Sequence, residues 1–125
     1  MRRREFLFTL VLFFLTLRTR TAFADKASTS IEAPKIAPRG SEIMIRVTVT
    51  HGANSSLHYT EWLKVMVNQK EIARWDYSGS NRPEAGVFTK EIKTKVLENM
   101  EVTAEANCNR HGSKGPTTLK ITVKD

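Results

Sequence analysis

At 125 residues, 40% of them apolar and with a formal charge of +7, the chain has room for one small domain and not for two. Residues 1–24 hold five Arg and one Glu, a formal +4 of that total, so residues 25–125 keep +3. They carry no basic cluster interleaved with aromatics, which argues against nucleic acid as the partner, and a single cysteine rules out an intramolecular disulfide.

The first segment reads as a targeting signal. Arg2, Arg3 and Arg4 lead into the apolar run Phe6 to Leu17, and Ala22-Phe23-Ala24 supplies a small-residue cleavage pattern. Residues 1–24 are therefore expected to be removed after Ala24, leaving residues 25–125 as the mature domain. The apolar run is too short to span a bilayer, so no permanent membrane anchor is expected. Arg3-Arg4-Glu5-Phe6-Leu7 follows the R-R-x-F-L pattern of twin-arginine export, a route that delivers folded proteins to the periplasm. An ordinary secretory signal with a crowded basic end is the alternative.

Beyond Asp25 the apolar residues recur with period two. Asp25 to Ser30 is polar and reads as an extended arm. Ile43, Ile45, Val47 and Val49 alternate with Met44, Arg46, Thr48 and Thr50, as in a half-buried strand. A strand from Thr60 to Asn68 places Leu63, Val65 and Val67 on one face and Trp62, Lys64 and Met66 on the other. Asn68-Gln69 makes a turn into a strand from Glu71 to Tyr77, and Ser78 to Pro83 is a loop by composition. Val87 to Lys95 forms the next strand. Met100, Val102, Ala104, Ala106 and Cys108 then share one face of another, which aims Cys108 inward at the strand's end. Leu119, Ile121 and Val123 mark the last strand. Six or seven short strands with no helical period predict an all-β, antiparallel β-sandwich.

The only cysteine and all three histidines fall into two clusters, His51 with His58 and Cys108 with His111. Thiolate and imidazole are the side chains that bind transition metals most readily, and Cys108-Asn109-Arg110-His111 puts one of each within reach of a single ion. Singly, each residue has a plainer reading: a lone cysteine on an apolar face is usually a small buried hydrophobe, and a histidine in a polar loop is often only solvated. No G-x-S-x-G elbow, paired carboxylates or Gly-rich phosphate loop points to a hydrolase or nucleotide enzyme.

Cys108-Asn109-Arg110-His111-Gly112 resembles the Cys-Asn-x-His-Gly loop of superoxide reductases, the iron domain shared by desulfoferrodoxin and neelaredoxin. His58-Tyr59-Thr60-Glu61-Trp62 resembles that family's His-Tyr-Ile-Glu-Trp segment, and Ile31-Glu32-Ala33-Pro34 its segment just after a Glu-Lys-His motif. The resemblance covers essentially all of residues 25–125. It implies an immunoglobulin-like sandwich around non-haem iron, Fe2+/Fe3+, with four imidazoles in a plane and one axial thiolate. It further implies superoxide as substrate, hydrogen peroxide as product, an unidentified electron donor and possible assembly as a homo-oligomer. Cys108 would be the axial ligand, with His58, His111 and His51 as imidazole ligands, although the spacing before His58 is His-x6-His where the family has His-x5-His. Asp25-Lys26-Ala27 falls on Glu-Lys-His, so Lys26 would attract superoxide and help deliver a proton, and Asp25 would stand for the glutamate. Ala27 stands where the family places its fourth histidine. Three imidazoles and one thiolate also make a zinc-type donor set. A non-catalytic zinc-binding module, presenting the Ser78 to Gly86 loop to a partner, is therefore a second expectation. A cupredoxin-like electron carrier is a third, weakened because no methionine follows His111 at the customary distance.

Overall fold

The computed structural model describes residues 26–125; the export signal read at residues 1–24, and Asp25, lie outside the described residues. Period-two alternation decides which way each strand faces. In β3 (Glu42–Thr50) the side chains of Ile43, Ile45, Val47 and Val49 are buried while their neighbours are not. In β7 (Met100–Cys108) Met100, Val102, Ala104, Ala106 and Cys108 are buried in the same way. Each such face excludes water only against another, and two sheets stack to do so.

The remaining strands are β1 (Ser28–Glu32), β2 (Ile36–Pro38), β4 (Thr60–Val67), β5 (Lys70–Asp76), β6 (Val87–Lys95) and β8 (Thr117–Lys124). One sheet has the order β1-β3-β6 and the other β2-β8-β7-β4-β5. All pairings are antiparallel except that of β2 with β8. The fold is the all-β sandwich expected. Among the described residues no helix is long and apolar enough to cross a membrane. Eight strands replace the expected six or seven. The two extra ones, β1 and β2, are short and sit at sheet edges, where pairing to one neighbour suffices without a hydrophobic alternation.

Backbone conformation and side-chain hydroxyls each fix part of this arrangement. The β4–β5 hairpin closes through Asn68 and Gln69, both at positive φ (50° and 69°). This is the backbone that a two-residue loop needs to match the twist of its strands. β1 is also stitched to the opposite sheet: Thr29 Oγ1 donates to the Ala104 carbonyl at 3.0 Å, and Thr117 Oγ1 donates to the Thr29 carbonyl at 2.8 Å. That pins the start of the described chain against the β7–β8 connection, where Ala27 pairs with Ser113.

Candidate metal centre

Cys108 ends β7 with its side chain turned inward and 1% exposed, as the alternation predicts. The chain then turns sharply. Cys108 N–H donates to the Gly112 carbonyl at 2.8 Å and Gly112 N–H to the Cys108 carbonyl at 3.1 Å, with Gly112 at φ 83°. Only glycine takes that backbone without a steric cost. The turn aims the N–H groups of Arg110 and His111 at the sulfur, 3.5 and 3.4 Å from Sγ. Hydrogen bonds to a ligating sulfur are one of the means by which a protein sets the potential of thiolate-bound iron.

Around that sulfur stand three imidazoles. His58 Nε2 lies 3.1 Å from Cys108 Sγ, and His111 Nδ1 lies 3.9 Å from Sγ and 3.2 Å from His58 Nε2. One ligand atom each from His51, His58 and Cys108 lies within 4.8 Å of the others. The His58 ring stands between its neighbours, 5.0 Å from the His51 centroid and 4.9 Å from that of His111. A metal with bonds of about 2.05 Å to nitrogen and 2.3 Å to sulfur separates its donors by about 2.9–3.6 Å. The distances from His58 Nε2 to the sulfur and to His111 fall within that span, while the 3.9 Å from His111 Nδ1 to the sulfur and the spread of up to 4.8 Å that includes His51 are wider. An ion therefore fits between His58 and Cys108 and would draw the other two rings inward; the mixed imidazole and thiolate set suits iron, zinc or copper.

Two loops place the histidines. His58 ends a tight turn in which Ser55 N–H donates to the His58 carbonyl at 2.8 Å and His58 N–H to the Ser55 carbonyl at 3.2 Å. Asn109 brackets the same residue from the cysteine loop. Its Nδ2 donates to the Leu57 carbonyl at 3.2 Å, its Oδ1 accepts from Tyr59 N–H at 3.0 Å, and its own N–H donates to the Tyr59 carbonyl at 3.1 Å. His51, 3% exposed, has its N–H on the Gly86 carbonyl at 3.0 Å and its Nδ1 3.2 Å from Thr60 Oγ1.

The segment from Ser78 to Gly86 packs against the His51–His58 loop. Arg82 Nη1 donates to the Asn54 carbonyl at 2.9 Å, and Asn54 Nδ2 donates to the Pro83 carbonyl at 3.0 Å. Glycines permit the contact: a Cβ at Gly86 would meet the His51 carbonyl oxygen at 2.5 Å, and one at Gly79 the Ser56 carbonyl oxygen at 2.4 Å. Behind this segment Tyr77 packs edge-on to Phe88 at 5.7 Å. Burial, with a smaller contribution from Glu84, pushes the Tyr77 phenol up to about 12.

All four predicted ligands thus converge at one end of the sandwich. Ala27, which the sequence resemblance sets against the family's fourth histidine, is fully buried beside the cysteine loop: its N–H reaches the Gly112 carbonyl at 3.4 Å, and its carbonyl accepts from Lys114 N–H at 2.9 Å. Lys26, the predicted catalytic lysine, is exposed next to it, and Asp25 lies outside the described residues. The spacing of ligands did not disclose Thr60 and Asn109, both of which touch the ligand loops. Asn109 lies inside the motif and Thr60 directly follows the His-Tyr pair, so position was the available signal.

Fold and donor set define a class: an immunoglobulin-like sandwich with a His/Cys ligand cluster at one end. Within that class the chain belongs to the desulfoferrodoxin family, whose sequence profile matches residues 19–114. No curated sequence relative matches it. Among solved structures it is similar to the superoxide reductase (neelaredoxin) of Ignicoccus hospitalis, with a TM-score of 0.66 and 19% identity over 78% of this chain and 80% of that one. It also resembles the CARDB domain of a Pyrococcus furiosus protein solved with di-metal ions, at a TM-score of 0.59 and 11% identity over 79% and 88% of the two chains. A third likeness is the sulfur carrier protein SoxY of Chlorobium limicola, at 0.53 and 13% over 78% and 79%. Identities this low establish a shared fold, and a fold hosts many functions.

Proposed function

We propose that this chain is an exported non-haem iron protein of the superoxide reductase type, with Cys108, His51, His58 and His111 as its ligands. The observation that carries the reading is the cluster of one thiol and two imidazoles, Cys108, His51 and His58, with His111 against His58 and the sulfur, in a chain of the desulfoferrodoxin family. Ferrous iron held there would supply the single electron that, with two protons, turns superoxide into hydrogen peroxide, and an electron donor would restore it. The chain's own contribution is position and charge. Cys108 supplies a sulfur flanked by two N–H donors, and the tight turn closed by Gly112 keeps it aimed inward. Exposed Lys26, one residue from the buried Ala27, provides a cation to draw a small anion toward that end and a proton to pass on. Asp25 would take the part of the family's glutamate. Export to the periplasm, with removal of residues 1–24, completes the proposal.

Ala27 favours one second reading. With alanine there, the donors number four, the coordination number of a structural zinc site. Metal analysis of the isolated protein, with the visible spectrum of its oxidised form, separates the two. Iron with a thiolate charge-transfer band that bleaches on adding superoxide supports the reductase, and that band should vanish in Cys108→Ser. A colourless zinc protein, or a band unchanged by the substitution, would refute it.

A further inference from the structure

Thr60 acquires a role once the cluster is read as a metal centre, and that role rests on the reading. Thr60 opens β4, and the β4–β7 ladder pairs Thr60 with Cys108 and Trp62 with Asn107. Two steps along β4 thus match one along β7, and Glu61 is the extra residue of a β-bulge. In an unbroken strand Thr60 would share a face with Trp62 and Lys64, away from Leu63 and Val65. The bulge reverses that phase: Thr60 is 1% exposed, buried like Leu63 and Val65, while Trp62 and Lys64 are only half-buried. A polar side chain turned inward in this way requires a partner, and it has one. Its hydroxyl lies 3.2 Å from Nδ1 of His51, itself 3% exposed.

We propose that Thr60 is a positioning residue that fixes the ring and tautomer of His51, so that Nε2 is the nitrogen offered to the metal. A neutral imidazole carries one proton, and a metal takes the nitrogen without it. A hydroxyl can accept as readily as donate. When Nδ1–H donates to Thr60 Oγ1, the lone pair resides on Nε2; were the hydroxyl to donate instead, Nε2 would hold the proton and could not ligate. A ligating histidine usually gives its other N–H to a carboxylate, carbonyl or water, and losing that partner costs about 10–100-fold in metal affinity. Here a threonine performs that task. Because it also pairs across the ladder with Cys108, the same residue sets the spacing between His51 and the sulfur.

The test compares the wild type with Thr60→Val, which keeps the shape and removes the hydroxyl, and Thr60→Ser, which restores it. Long-range proton–nitrogen correlation spectra of the metal-free protein at alkaline pH report the His51 tautomer. Titration with Co2+ against a competing chelator, followed by the thiolate–cobalt absorption, reports affinity. The wild type and Thr60→Ser should show Nδ1–H, and Thr60→Val should lose that preference. Thr60→Val should bind Co2+ about 10–100-fold more weakly, with Thr60→Ser recovering to within about threefold of wild type. An Nε2–H tautomer in the wild type overturns the proposal, and decides the matter even if Thr60→Val does not fold. Equal Co2+ affinity in wild type and Thr60→Val also overturns it, whereas a wild-type chain that binds no Co2+ overturns the metal-centre reading itself.

Discussion

Gly86→Ala adds one methyl group and changes no donor, charge or hydrogen-bonding atom, yet it should damage the candidate centre. The new Cβ would sit 2.5 Å from the His51 carbonyl oxygen, about 0.9 Å short of an ordinary contact near 3.4 Å. The obstructing atom is backbone, so a rotamer change cannot relieve it. Either the Ser78–Gly86 segment lifts away or the His51 peptide moves, and both lengthen the 3.0 Å bond from His51 N–H to the Gly86 carbonyl. Overpacking of this kind costs about 1–3 kcal/mol, and weakening a hydrogen bond adds about 1 kcal/mol. A loss of about 2–4 kcal/mol should lower the urea midpoint of the metal-free protein by about 1–2 M. Metal affinity measured in parallel should fall as well, because His51 is carried on the displaced peptide. Gly79→Ala, which strikes the Ser56 carbonyl at 2.4 Å in the same loop, should cost a similar amount of stability. A Gly86→Ala protein with an unchanged midpoint and unchanged affinity would refute the claim that this segment supports the ligand loop.

The hairpin and the phenol give two further outcomes. Gln69 holds φ 69°, a conformation that disfavours any residue with a Cβ, so Gln69→Gly should raise stability by about 0.5–1 kcal/mol in urea unfolding, and a loss would contradict the turn assignment. The Tyr77 hydroxyl is buried and without a hydrogen-bond partner among the described residues, so Tyr77→Phe should leave stability unchanged or raise it by about 1 kcal/mol. Because the folded phenol titrates near 12, above its ordinary 10.0, the unfolded chain gives up this proton first as pH rises. The associated stability is intact below about pH 10 and lost as pH climbs toward 12, and Tyr77→Phe should flatten that alkaline decline. Spectrophotometric titration and unfolding at several alkaline pH values check both points.

The strands that carry the core were legible because they alternate over a long run. Ile43 to Val49 and Met100 to Cys108 each repeat the apolar choice often enough to fix their faces, and that alone aimed Cys108 inward. β1 was not legible, since Ser28-Thr29-Ser30 has no apolar face and is held by pairing with β3 and by the Thr29 hydroxyl. β2 is three residues ending in Pro38, and only β8 beside it makes it a strand. The β4 bulge was hidden for a different reason. Thr60-Glu61-Trp62 reads as plain alternation, and the phase reversal exists only in relation to β7. The ligands could be named because cysteine and histidine are scarce here and fall in two groups. Their supports could not, because Asn109, Gly86 and Thr60 act through backbone and ring contacts between segments distant in the chain.

The four candidate ligands are divided between the two layers. His51 follows directly on β3 in the three-stranded sheet, while His58, Cys108 and His111 flank β4 and β7 in the five-stranded one. A bound ion would therefore cross-link the layers, closing chain loops much as a disulfide would in a protein whose single cysteine cannot form one internally. With an ion bound there, occupancy of the site and mechanical integrity would become one property of the molecule. A chelator would do more than silence the chemistry: it would unfasten one end of the sandwich, and the rate at which the layers separate would follow the occupancy of the ion.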